Sequence, residues 1–133
     1  MDELRKEAKA ARNEAFRQRT QEAALRIIRL YQQLPHTGEA EVLGKQLLRS
    51  ATSIAANYRA SCRARSGAEY YAKLCVCVEE ADETQFWLDL LGQADIFPEA
   101  RLAELKQEYA AITAILTTAR HLAKTNRDAS AKE

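Results

Sequence analysis

The chain has 133 residues, of which 47% are hydrophobic and 29% charged, with a formal net charge of +1. That length supports one domain around one continuous core, and the composition excludes disorder over most of the chain. A near-neutral total gives no bulk attraction to nucleic acid or to an anionic membrane, so any such role must rest on local clusters of charge.

Only four glycines and two prolines are present, too few for the turns of a β-rich protein. The dominant residues are good helix formers, and the expected fold is all-α. Three breaks, at Pro35–Gly38, Ser66–Gly67 and Asp95–Pro98, divide the chain into four helical segments. The first runs to about Leu34. Ala24, Ile27, Ile28, Tyr31 and Leu34 mark one face of its distal half. Residues 1–22 form a charged extension with a weak stripe of Ala8, Ala11, Ala15 and Phe16, expected to fray toward Met1.

The second segment, about Ala40 to Arg63, carries Leu43, Leu47, Ser50, Ile54 and Tyr58 on one face. The third runs from Ser66-Gly67 to about Ala94, with Ser66 as N-cap and Glu69 completing a capping-box pattern. Tyr71, Leu74, Val78, Ala81, Gln85 and Leu88 form its main stripe, and Tyr70, Cys77, Thr84 and Leu91 a second. The fourth begins after Pro98, which suits a first helical turn. Leu102, Leu105, Tyr109, Ile112, Leu116, Ala119 and Ala123 form a nearly unbroken heptad seam, widened by Ile115 and Leu122. Residues 126–133 are small and polar and read as a disordered tail. Short connections force neighbouring helices antiparallel, giving an up-down-up-down four-helix bundle over one domain, 1–133.

The run Leu43-Gly44-Lys45-Gln46-Leu47-Leu48-Arg49-Ser50-Ala51-Thr52-Ser53-Ile54-Ala55-Ala56-Asn57-Tyr58-Arg59-Ala60 resembles the signature of the 23S rRNA intervening-sequence family. Arg63 to Leu74, Glu79 to Glu83 and Trp87 to Leu91 extend the likeness, which covers roughly Phe16 to Ala123. The resemblance implies an antiparallel four-helix bundle that assembles as a ring, commonly a homopentamer. It also implies a relation to the accessory variability protein of diversity-generating retroelements, which works with a reverse transcriptase and nucleic acid. Partners to expect are therefore copies of the chain itself, RNA or DNA, or a reverse transcriptase-like protein. Most members of the family have no assigned activity.

Polar residues inside the second and third helices are expected to form a structural seam, with a polar ligand or subunit site as the alternative. Ser50, Ser53 and Asn57 share a face, and antiparallel pairing about Ser66-Gly67 sets Arg49 near Glu83 and Arg63 near Glu69, with Glu80 alongside. Such pairs fix register more than they stabilise. A di-metal bundle needs Glu-x-x-His on two helices, and neither His36 nor His121 has a Glu three residues before it. Cys62, Cys75 and Cys77 lack zinc spacing and read as small buried hydrophobes. The chain offers no phosphate loop and no base poised beside a nucleophile, so no catalytic residue, metal or cofactor is expected.

Basic residues give the stronger lead. Arg5, Lys6, Lys9, Arg12, Arg17 and Arg19 lie near the start, Arg59, Arg63 and Arg65 near the end of the second helix, and Arg120, Lys124 and Arg127 late in the fourth. In an up-down bundle the ends of the second and fourth helices lie at one pole, where Arg59, Arg63, Arg65, Arg120 and Lys124 are candidates to bind phosphates without reading bases. Favourable interaction with helix C-termini is the competing explanation. Tyr70, Trp87 and Leu91 are candidates for a subunit interface, or else for the core of one bundle. No apolar run reaches the ~20 residues of a membrane span. The charged start lacks a signal peptide's apolar stretch, and with three cysteines a cytoplasmic setting with reduced thiols is expected. The expectation is thus a non-enzymatic oligomeric scaffold, with a protein-only adaptor as the alternative.

Overall fold

The computed structural model describes the backbone of residues 1–132 and the side chains through Ala129. Four helices follow in order: α1 (Asp2–Gln32), α2 (Gly38–Ser61), α3 (Gly67–Gln93) and α4 (Glu99–Lys132). The expected breaks fall within about two residues of the observed ends. Each helix end has an identifiable cause. The Thr37 hydroxyl accepts from the Ala40 amide at 3.3 Å, and the Ser66 hydroxyl accepts from the Glu69 amide at 3.0 Å. The α3 terminus closes as a Schellman turn: Ile96 N–H reaches Leu91 C=O at 3.0 Å and Asp95 N–H reaches Gly92 C=O at 3.1 Å. This turn puts Asp95 at φ 57°, the only left-handed non-glycine backbone among the described residues.

α2 packs most extensively on α3, α3 on α4, and α1 on α2, while the α1–α4 seam is the thinnest. α2 and α4 make no direct contact, so they stand diagonally across the bundle. Gly44 explains the close approach of α1 to α2, since a Cβ there would come within 2.7 Å of Leu34 and 3.0 Å of Tyr31. The core runs the length of the bundle through Ile27, Leu47, Ile54, Leu74, Leu88, Leu102, Ile112 and Leu116. Phe16 of α1 caps it at one end by standing edge-on to Tyr58, with ring centroids 4.7 Å apart.

Four expectations need correction. The inward face of α3 is a blend of its two sequence stripes: Leu74, Cys77, Ala81, Thr84, Leu88 and Leu91 are buried, whereas Tyr71, Val78 and Gln85 flank them half-buried. A 3.6-residue period drifts against a strict heptad, so over seven turns the buried line crosses from one stripe to the other. Ile115 and Leu122 do not widen the α4 seam but point outward, 39% and 56% exposed. The tail expected to be disordered from Asn126 continues α4 to Lys132, and Glu133 lies outside the described residues. The start of α1 is helical from Asp2, although nothing before Asn13 is even half-buried.

Candidate nucleic-acid interface

Antiparallel order brings the starts of α1 and α3 and the ends of α2 and α4 to one pole. Charge is distributed unevenly between the two ends. The far half of α3 and near half of α4 hold Asp82, Glu83, Asp89, Asp95, Glu99, Glu104 and Glu108 against only Arg101 and Lys106. The cations of that acidic end are paired: Arg26 with Glu104, Arg29 with Glu22, Lys45 with Glu41, and Lys106 with Asp89 and Glu99. Arg101 is the exception; it donates to Gln33 and lies over the Phe97 ring.

At the other pole most cations have no such partners. Among the described residues, Arg5, Lys9, Arg12, Arg59, Arg63, Arg120, Lys124 and Arg127 form no ion pair, whereas Lys6, Arg17 and Arg65 pair with Glu3, Glu14 and Glu69. Arg17 and Arg19 therefore leave the sequence-predicted N-terminal cluster. Arg17 holds the Glu14 carboxyl down at about 2 through a bidentate hydrogen bond. Arg19 reaches across to Glu108 with a fork of 2.9 and 2.7 Å, tying α1 to α4.

The predicted patch of Arg59, Arg63, Arg65, Arg120 and Lys124 resolves into two. Arg59 and Arg63 are exposed on the α2 side, and Arg65 is partly engaged with Glu69 at 3.6 Å. Arg120 and Lys124 lie diagonally opposite on α4, where they line an open cavity of about 510 Å³ with Tyr71, Thr117, Thr118 and His121. The Arg127 guanidinium stands 5.7 Å from the Tyr71 ring centroid. The Tyr71 phenol is raised chiefly by a hydrogen bond to Cys75, while the charges of Arg120 and Arg127 pull it down. Sequence reasoning placed Tyr71 in the core and weighed His121 only as a metal ligand. The spacing of Thr117, Arg120, His121 and Lys124, at i, i+3, i+4 and i+7, was the available signal.

The polar seam assembles largely as expected. Arg49 donates to Glu83 at 2.5 Å and to Glu80 at 3.1 Å, and the Trp87 indole N–H donates to the same Glu83 at 3.1 Å. The Arg49 hydrogen bond holds Glu83 below the usual carboxylate range. The hydroxyls of buried Ser50 and Thr84 meet at 2.8 Å, and the Asn57 amide donates to the Ser53 hydroxyl at 3.0 Å. Glu69 differs from expectation: its partner is Arg65, one turn before it, and not Arg63.

The three proposed interface residues do not form one surface. Leu91 is fully buried within the monomer and belongs to its core. Tyr70 and Trp87 are half-buried and stand about 25 Å apart along α3 at 1.5 Å per residue. The exposed aromatic is Phe86, 52% accessible and edge-on to Trp87 with centroids 5.0 Å apart. Of the thiols, only Cys77 behaves as a buried hydrophobe. Burial pushes it up to about 12, whereas Cys62 is exposed and Cys75 intermediate. Among the described residues, no group of three or more His, Cys, Asp or Glu side chains is placed to hold a metal ion, and no helix is long and apolar enough to cross a membrane.

Fold and site together define a four-helix-bundle protein with segregated charge and one basic end. Residues 12–118 match the family described as 23S rRNA-intervening sequence protein, and the chain belongs to that family. A protein of unknown function from the S23 ribosomal protein family of Bacteroides thetaiotaomicron VPI-5482 is similar in structure, with a TM-score of 0.76 and 31% identity over 82% of this chain and 97% of that one. No curated protein matches.

Proposed function

We propose that this protein is a non-enzymatic helical scaffold that engages nucleic-acid phosphates through its basic pole. The observation that carries this reading is the contrast in pairing between the two ends. Six of the seven cations around the acidic half and the waist (Arg19, Arg26, Arg29, Lys45, Arg49, Arg101 and Lys106) sit in ion pairs, yet Arg59, Arg63, Arg120, Lys124 and Arg127 have none among the described residues. An unpaired, exposed guanidinium keeps its donors for a ligand, and phosphate, like carboxylate, is an anion it matches bidentately. A net charge near zero does not oppose this, because the Debye length of about 8–10 Å screens the far acidic end.

Self-assembly is part of the reading. A homo-oligomeric ring would gather several basic poles and multiply weak contacts. The exposed Phe86 beside half-buried Trp87 supports α3 as the contact face, since aromatics are enriched at such interfaces.

Fluorescence anisotropy of a structured RNA across a salt series tests the reading. Binding in the micromolar range that weakens steeply with salt is expected, and Arg59→Ala/Arg63→Ala should weaken it with the oligomer intact. Unchanged binding by the double variant removes the α2 side from the site. Failure of the unmodified protein to bind even at low salt refutes the nucleic-acid role and leaves a protein-only adaptor. Light scattering that returns a single-subunit mass at micromolar concentration refutes the assembly.

A further inference from the structure

We infer that the cavity between Tyr71 and α4 seats one nucleotide of a single-stranded nucleic acid, with the base against the Tyr71 ring and the phosphate between Arg120 and Lys124. This rests on the basic pole being a phosphate-binding surface and goes beyond it, because it assigns strand selectivity to one cavity. At about 510 Å³ the cavity falls within the ~300–1,000 Å³ of small-ligand sites. Its lining is selective in kind: Tyr71, two threonines, Arg120, His121 and Lys124, with no carboxylate among them.

The ligand class follows from that lining. Two permanent cations flank the cavity and no carboxylate does, so an anion is favoured over an apolar or cationic ligand. The Thr117 hydroxyl donates to the Thr113 carbonyl at 2.8 Å, so the anion's donors are the Arg120 and Lys124 side chains that flank it. A bare phosphate would use the cations and ignore the ring. The Tyr71 ring already holds a flat cation, the Arg127 guanidinium, 5.7 Å from its centroid, which shows that it can stack a planar group; a base seated in the cavity displaces Arg127 or takes the other face of the ring. A nucleotide supplies a planar base and an anion on one short linker, and unstacked bases stack on aromatic side chains regardless of sequence. Bases in a duplex are paired and stacked on one another, and cannot turn onto the ring. The α2 side, with Arg59 and Arg63, contacts backbone in either form and carries no such discrimination.

Fluorescence anisotropy with a labelled oligouridine and a labelled blunt RNA duplex of the same length tests the assignment on the full chain. Tyr71→Leu keeps an apolar side chain but removes the π-face, and should weaken oligouridine binding about tenfold while changing duplex binding less than about twofold. Tyr71→Phe should restore wild-type affinity. Arg120→Ala/Lys124→Ala should lower the salt slope for oligouridine by about 1.4, at about 0.7 per contact. Helical circular dichroism confirms that each variant is folded. Wild-type binding of oligouridine by Tyr71→Leu, with Arg59→Ala/Arg63→Ala still impaired, overturns the seat and leaves the basic-pole reading standing. Equal losses on oligouridine and duplex overturn it too, since Tyr71 would then act on the shape of the pole. Displacement of oligouridine by micromolar uridine monophosphate would make this a free-nucleotide site and overturn the strand assignment. An unmodified protein that binds neither probe refutes both readings.

Discussion

The buried hydroxyl pair between α2 and α3 gives a quantitative test of how this bundle handles polar groups in its core. Ser50 and Thr84 are both fully buried, with oxygens 2.8 Å apart. Each also has a backbone carbonyl of its own helix in reach: Leu47 for Ser50 at 3.1 Å, and Glu80 for Thr84 at 2.8 Å. Two hydroxyl protons thus serve three contacts, and each hydroxyl retains a local acceptor if its partner is removed. Thr84→Val preserves volume and shape. It should cost about 1 kcal/mol, the net worth of one hydrogen bond, and not the larger penalty of an orphaned group. Ser50→Ala should cost about the same. The double variant removes both hydroxyl protons and with them the local contacts as well as the shared one, so it should cost about 2 kcal/mol, close to the sum of the single effects, with little coupling. Urea unfolding at one fixed protein concentration provides the measurement, because assembly would shift apparent stability. The m-value should not change. Coupling above about 1 kcal/mol, or a single variant costing more than about 2 kcal/mol, would refute the argument that each hydroxyl has a local substitute.

Three further outcomes follow from the geometry. Arg19 depresses the Glu108 carboxyl, so the contribution of this pair is full above the unfolded value near pH 4.3 and fades as pH falls through the lower folded value. Arg19→Met should therefore cost about 0.5–1 kcal/mol at neutral pH, a figure kept small because the arginine is 40% exposed, and nothing once Glu108 is protonated; urea titrations at several pH values read this. Iodoacetamide followed by mass spectrometry should modify Cys62 first and Cys77 only as the protein unfolds, since Cys77 is wholly inaccessible and its thiolate is disfavoured by burial. Asp95→Gly should raise stability by about 0.5 kcal/mol in thermal or urea melts, because glycine adopts the left-handed φ of 57° without a Cβ clash.

The Arg49 contact with Glu83 was legible from antiparallel pairing alone, because the Ser66-Gly67 turn fixes register along α2 and α3. The pairing of Arg65, and not Arg63, with Glu69 was not, since neighbouring arginines around a connection differ only in how the chain turns. Leu91 shows the same limit from the apolar side. It lies on the second stripe of α3 and was a candidate for a subunit interface, yet it is fully buried within the monomer. Which flank faces inward depends on where α2 and α4 sit, and periodicity alone does not carry that information.

The sequence by itself determined the four helices, their ends and their antiparallel order, because these follow from local rules: helix-forming residues, Gly and Pro breaks, a serine cap, and connections too short for any other path. It also placed the basic residues at one end, since up-down order alone decides which termini meet. Only the tertiary structure decided which of those cations are free. Ion pairs such as Arg19 with Glu108 join residues far apart in sequence, and their formation depends on the rotation of each helix about its axis. The order of helices around the bundle sets Arg59 and Arg63 diagonally across from Arg120 and Lys124, and the rotation of α3 turns Tyr71 out of the core toward α4, leaving a single predicted patch as two distinct surfaces.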